Sequence, residues 1–275
     1  MMDYIFGLRG HDVADNFDDM CKNAKNNGVK KLQFAIAKTM SDINFDETGY
    51  DAELSAKVKE QLDAHDLHVS VLGCYINPVA NDPDVLNTQL TRFKNFLNYA
   101  KDFNADVIGT ETGYQETLEK THGEENYLRI LENLRPIVKE AERLGVTVGI
   151  EPVYAGTIYS PQRMKRLIDD LNSDNVGVIL DVSNMTYPQT RHMQCDIIND
   201  SFDLLGDRIK VIHLKDFTFD EEGKKSFAVA GTGELMTELI FDRLSELNHS
   251  PEIILDETKL SLYEESLESL KNILD

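Results

Sequence analysis

Basic residues are scarce in this chain: 28 lysines and arginines face 49 aspartates and glutamates, a formal net charge of −21 over 275 residues. A surface of that sign opposes any partner held by phosphate neutralisation, so neither nucleic acid nor an anionic membrane is expected as a partner. Cysteine is rare as well. Cys21, Cys74 and Cys195 are odd in number, widely spaced and form no Cys-x-x-Cys pair, which argues against a disulfide framework and for free thiols in a reducing compartment. All three read as packing residues. No window approaches the ~18 consecutive apolar residues of a membrane span. The N-terminal segment Met1-Met2-Asp3-Tyr4-Ile5-Phe6-Gly7 lacks a basic region followed by a long apolar stretch, so a cytoplasmic location is the expectation. No Pro-, Ser- or Gly-rich linker and no shift in composition divides the chain, and one domain over residues 1–275 is expected.

What the chain does have is a rhythm. Apolar runs suited to buried parallel strands fall at 4–8, 31–36, 68–72, 106–109, 147–150, 176–180, 210–213 and 252–255, and amphipathic helical stretches at 15–27, 51–65, 84–103, 124–144, 160–171, 194–205, 235–247 and 263–274. Eight strands, each followed by a helix, is the count of a closed α/β barrel of the (β/α)8 type, which runs to ~250 residues as one unit. Ser160-Pro161 offers a hydroxyl N-cap with proline at the first helical position, and Gly28 and Gly145 sit where a helix ends in a left-handed residue before a strand.

Four of the runs in the second half end abruptly in a side chain that can bind metal: Val148-Gly149-Ile150-Glu151, Val178-Ile179-Leu180-Asp181, Val211-Ile212-His213 and Ile253-Ile254-Leu255-Asp256-Glu257. Barrels place their chemistry at the C-terminal ends of the strands, so these groups are expected to converge on one divalent cation. Carboxylates with one imidazole and no thiolate form a hard, mostly oxygen site; Mn2+ is the expected ion, with Mg2+, Co2+ or Zn2+ as alternatives. Taken singly, each carboxylate could equally be a helix N-cap or a solvated loop group. Lys215, two residues past His213, shares its strand face if the strand continues, where it could polarise a carbonyl or hold a phosphate. The plain alternative is a solvated lysine bridging to Asp216. Glu111 ends the fourth strand and His11 the first, and both are candidates for substrate contact, with Asn77 and Tyr75 on the third loop as weaker ones. Gly231-Thr232-Gly233 follows no strand that opens a dinucleotide site and reads as a tight turn. His65 and His68 flank a helix-to-strand turn at the barrel's stability face, away from any expected metal.

Gly149-Ile150-Glu151-Pro152-Val153, Ile179-Leu180-Asp181-Val182-Ser183-Asn184-Met185 and Val211-Ile212-His213-Leu214-Lys215-Asp216 resemble segments of the sugar phosphate isomerase/epimerase family, the xylose-isomerase-like barrels. Arg9-Gly10-His11-Asp12, Ile108-Gly109-Thr110-Glu111-Thr112-Gly113 and Ala230-Gly231-Thr232-Gly233-Glu234-Leu235 add to the likeness. The resemblance implies metal ligation by Glu151, Asp181, His213 and an acid after the eighth barrel strand. That acid is Asp256, which directly follows its aliphatic run, or Glu257, which has the family's usual residue type but points to the opposite face of a regular strand.

It further implies isomerisation or epimerisation of a small sugar or sugar-like carbonyl compound through an enediolate, with Glu151 and the eighth-strand acid, Asp256 or Glu257, as acid and base. Lys215 is a further catalytic candidate and Asn184 a substrate contact, and a homo-oligomer is implied as well. Two departures argue against a free ketohexose held as in the related epimerases: Asn184 stands where they carry histidine, and Phe219 where they carry arginine. A lyase or dehydratase of the same fold, of the inosose dehydratase or C-glycoside deglycosidase type, shares every residue named. An endonuclease would need several more histidines than the seven present, and a non-catalytic sugar-binding barrel is the remaining reading.

Overall fold

Parallel strands buried on both faces read as continuous apolar runs, and eight such runs pair edge to edge in the computed structural model. The structure describes residues 4–274; Met1–Asp3 and Asp275, which include the start of the N-terminal segment and both ends of the single domain expected from sequence, lie outside the described residues. The strands are β1 (Phe6–Arg9), β2 (Lys31–Phe34), β3 (His68–Gly73), β4 (Val107–Thr110), β5 (Val148–Ile150), β6 (Val176–Leu180), β7 (Ile209–Leu214) and β10 (Glu252–Leu255). They close in the order β1-β10-β7-β6-β5-β4-β3-β2, every pairing parallel. A (β/α)8 barrel is thus formed, with the helices outside it. Between β7 and β10 the chain adds a small antiparallel hairpin, β8 (Phe217–Phe219) and β9 (Lys225–Phe227), which the sequence reading did not anticipate.

Side chains alternate in and out along a strand, and that alternation sets the whole site. Val71, Val107, Ile179, Val211 and Ile254 form a separate, fully buried cluster, the plug inside the barrel. Gly109 lies one layer above it because a Cβ there would come within 2.8 Å of both Ile179 Cδ1 and Val71 Cγ1. Counting two residues on from the plug reaches Asp181, His213 and Asp256; counting four reaches Tyr75, Glu111 and Lys215. Inward parity alone therefore delivers six polar side chains to the C-terminal mouth.

The helices follow local signals. Ser160 caps the helix Pro161–Leu171 by accepting from the Arg163 N–H, and Gly145, at φ 70°, ends Glu124–Leu144 in the left-handed conformation, as does Gly28 at φ 72° before β2. Only β6 and β10 keep both expected bounds, and the largest differences, of two residues, fall at the start of β1 and the end of β2. β1 begins at Phe6, because its pairing with β10 starts at Phe6↔Ile253 and Ile5 is exposed. β2 ends at Phe34, because Ile36–Thr39 turns into a short helix. Cys21 and Cys74 are buried, but Cys195 is exposed: on the helix Gln194–Leu205 the inward stripe is Gln194, Ile197, Ile198, Ser201, Phe202 and Leu205, and Cys195 falls off it.

Candidate metal centre

Glu151, Asp181 and His213 converge at the mouth, each offering a ligand atom within 4.8 Å of the others, and all three are buried. β5, β6 and β7 are adjacent in the barrel, so Glu151 and Asp181, each just past its strand, and His213, near the end of β7, are brought together. The Glu151 N–H continues the ladder beyond β5 by donating to the Thr110 carbonyl at 2.9 Å. Asp181 divides its labour. Oδ1 accepts from the Asn184 N–H at 3.0 Å, capping the short helix Val182–Met185, while Oδ2 faces the cluster. The helix-cap reading of this carboxylate is correct for one oxygen and leaves the other for the site.

Asp256 also points inward, two residues beyond the plug residue Ile254, but cations already claim it. Lys215 Nζ lies 2.9 Å from Asp256 Oδ2 and 2.8 Å from Asp181 Oδ2, and Arg9 Nη1 lies 2.8 Å from Asp256 Oδ1. Lys215 is thus no solvated lysine bridging to Asp216; it is buried and spans two strand-end carboxylates. Asp216 is occupied otherwise, accepting from the backbone N–H groups of Phe217, Gly233 and Leu235. Glu257 adopts φ 55°, outside the strand, and its side chain is a third exposed and pairs with Arg9 Nη1 at 2.9 Å.

Glu151 is held at both oxygens. Asn184 Nδ2 donates to Oε1 at 2.6 Å and the Tyr75 hydroxyl to Oε2 at 3.3 Å; Gln33 Nε2 donates to that hydroxyl in turn at 3.0 Å. His213 Nδ1 stands 3.5 Å from Glu151 Oε2, and neither of its buried ring nitrogens has a hydrogen-bond partner. An orphaned imidazole nitrogen beside two carboxylates fits a divalent cation, which would take one of the two ring nitrogens, since an uncompensated buried polar atom otherwise carries a desolvation cost. The donor set of carboxylate oxygen and imidazole nitrogen is of the right chemistry.

Charge organises the titrations. Burial raises Asp181, with Lys215 opposing. Burial alone would raise Glu151 and Asp256 too, but His213 and Lys215 hold both below the ordinary carboxylate range. Burial would lower His213 and Lys215, and the surrounding carboxylates instead push both up. Glu111 is pushed up to about 7, first by burial and then by Glu151. His11 is lowered to about 4 by burial and by the nearby Arg9 and Lys38 cations.

Above the cluster opens a cavity of about 420 Å3 whose wall includes His11, Glu111, Glu151, Asn184, His213, Lys215, Asp256 and Glu257. Asp181 lies behind that wall. Asn77 is also absent from it: its amide donates to the Tyr114 carbonyl and its Oδ1 accepts from Val79 N–H, so it ties the third loop to the fourth. Residues the sequence reading did not single out as site candidates also line it: Arg9, Gln33, Ala35, Lys38 and Phe227. Inward parity from Gly7 would have found Arg9. Phe227 sits on the unanticipated hairpin and carried no signal. His65 and His68 lie far from the mouth, His68 Nε2 meeting Asp106 Oδ2 at 2.6 Å and His65 Nδ1 meeting the Gln61 carbonyl. Gly231, at φ 83°, forms the expected turn. Among the described residues no helix is long and apolar enough to cross a membrane.

The same architecture occurs in solved structures. A D-tagatose 3-epimerase-like protein superposes with a TM-score of 0.78 at 18% identity, covering 98% of this chain and 96% of that one. For 3-keto-D-glucoside 4-epimerase, YcjR, from E. coli the TM-score is 0.72 at 16% identity, with 98% and 100% covered. For an IOLI protein with a bound zinc atom it is 0.71 at 16% identity, with 98% and 96% covered. At these identities the likeness is one of fold. None of the curated protein sequences matches the chain. The model of the xylose isomerase-like TIM barrel family matches residues 21–273, and the chain belongs to that family.

Proposed function

We propose that the protein is a divalent-metal-dependent isomerase or epimerase of a small sugar or sugar-like carbonyl compound. The observation that carries this reading is the convergence of Glu151, Asp181 and His213 on one buried point at the barrel mouth. Of the two eighth-strand acids, Asp256 points into the mouth and shares Lys215 with Asp181, whereas the Glu257 backbone, at φ 55°, has left the strand. Similar folds bearing epimerase names, and one holding zinc, agree with it.

The chain's own groups supply the proton chemistry. Glu151 faces the cavity with both oxygens fixed by Asn184 and Tyr75, so it is placed to take a proton from a carbon next to a carbonyl without reorienting. The negative charge that then appears on the substrate oxygens lies beside the Lys215 ammonium. When bound, a divalent cation adds Lewis-acid stabilisation of that charge, with Mn2+ the expected ion. Glu111, His11 and Asn184 line the cavity as contacts for hydroxyl groups.

A lyase or dehydratase is the second reading, and one observation favours it: Asp256 is locked between Lys215 and Arg9. A carboxylate so engaged is a poor partner for symmetric proton return on the second face, whereas removal of one proton by Glu151 with loss of a β-substituent needs no second base.

The deciding experiment measures metal content and then proton–deuterium exchange into ketoses, inososes and 3-oxo-glycosides with added Mn2+. Metal-dependent exchange next to the carbonyl is expected, and product analysis separates isomerase from lyase. Glu151→Gln should lower exchange by about 10²–10⁴-fold. Full function in that variant would leave only a sugar-binding barrel.

A further inference from the structure

Lys215 is a cation already in residence where a second one is expected. Its ammonium bridges Asp181 Oδ2 at 2.8 Å and Asp256 Oδ2 at 2.9 Å, and the Phe227 ring, 5.6 Å from Nζ, flanks it. The lysine is buried and directly follows β7, which carries His213 two residues before it. Any ion that takes Asp181 Oδ2 must share that oxygen with the ammonium or displace it. Asp256 is engaged on its other oxygen by Arg9, so both of its oxygens are spoken for.

Resting on the metal reading above, we propose that Lys215 is an internal competitor for the metal: it keeps Asp256 from a divalent cation and competes for Asp181 Oδ2, which weakens binding and leaves Glu151, a shared Asp181 and His213 as an open three-residue ligand set. The physical basis is charge. An ammonium in contact with two of the carboxylates cancels much of the field that would attract a second cation, and the low polarisability of a buried site makes that cancellation strong. Three ligands instead of four leave more positions for substrate oxygens.

Mn2+ binding by titration calorimetry on the chelator-stripped protein tests this without any turnover. Lys215→Met is expected to bind Mn2+ about tenfold or more tightly than the unaltered protein, because the two carboxylates lose their internal counter-ion. Lys215→Arg, which keeps the charge, should show no such gain. If Lys215→Met does not fold, Lys215→Gln, which keeps a donor for the carboxylates, reads the same quantity. Equal or weaker binding by the neutral variants, with binding by the unaltered protein intact, would overturn the proposal and leave the metal reading standing. An absence of Mn2+ binding in the unaltered protein and every variant would overturn both.

Discussion

The Asn184 side-chain amide donates to Glu151 Oε1 at 2.6 Å, so the carboxylate proposed to move a proton is held by a group that cannot itself titrate near neutral pH. By the resemblance, Asn184 stands where the related epimerases carry a histidine. Asn184→Ala should therefore lower kcat about 10- to 100-fold, as loss of an orienting partner does, with little change in KM. Steady-state kinetics decide: a change confined to KM would mean that Asn184 contacts substrate and does not orient Glu151.

Glu111 offers a pH signature. Its carboxyl is pushed up to about 7 from an ordinary 4.5, chiefly by burial. Between those values the folded protein keeps a proton that the unfolded chain has lost, so this contribution to stability is fully present below pH 4.5 and is lost as pH rises through 7. In the presence of a chelator, Glu111→Gln should gain on the unaltered protein by about 2 kcal/mol above pH 7 and by nothing below 4.5. Parallel stability curves in urea across that range would contradict the assignment.

The β8–β9 hairpin is fastened by Lys225, whose ammonium donates to the Ser183 carbonyl at 2.5 Å and the Thr186 carbonyl at 3.0 Å and lies 4.1 Å from the Phe217 ring centroid. Lys225→Met should cost about 2 kcal/mol in hydrogen bonds and raise KM, since Phe227 on the same hairpin lines the cavity. Limited proteolysis provides the readout, with cleavage in residues 218–226 appearing only in the variant.

Packing inside the barrel makes the last prediction. A methyl at position 109 would crowd Ile179 Cδ1 and Val71 Cγ1 at 2.8 Å, so Gly109→Ala should destabilise by about 1–3 kcal/mol. Adding Ile179→Val, which removes the Cδ1 atom, should recover part of that loss in a double-mutant cycle.

The barrel was legible because its strands are continuous apolar runs and its helices carry caps. The bounds of β6 and β10 and of the helices Glu124–Leu144, Gln194–Leu205 and Tyr263–Leu274 coincide with the sequence reading. The hairpin was not legible because strands of three residues leave too short an alternation to count. Strand-end chemistry showed which side chains reach the mouth, yet it could not show how their charges pair. Inward parity carries Lys215 to the mouth only if the alternation of β7 runs on past Leu214, and no local pattern shows which carboxylates it then meets, Asp181 and Asp256 across the barrel rather than Asp216 next to it. Cys195 shows the same limit on a helix, where one step around the axis separates packing from exposure.

Asp216 collects three backbone amides, from Phe217 at the start of the hairpin segment and from Gly233 and Leu235 at its return. The span from 217 to 233 is thereby stitched shut at its base, immediately beside Lys215 and the strand that bears His213. Everything distal to that stitch can be exchanged as a cassette: loops of other lengths or sequences grafted between the two anchor points would change what covers the cavity without shifting β7. The geometry thus separates what covers the cavity from the groups at the strand ends, and makes this insertion the natural place to re-engineer access to the mouth.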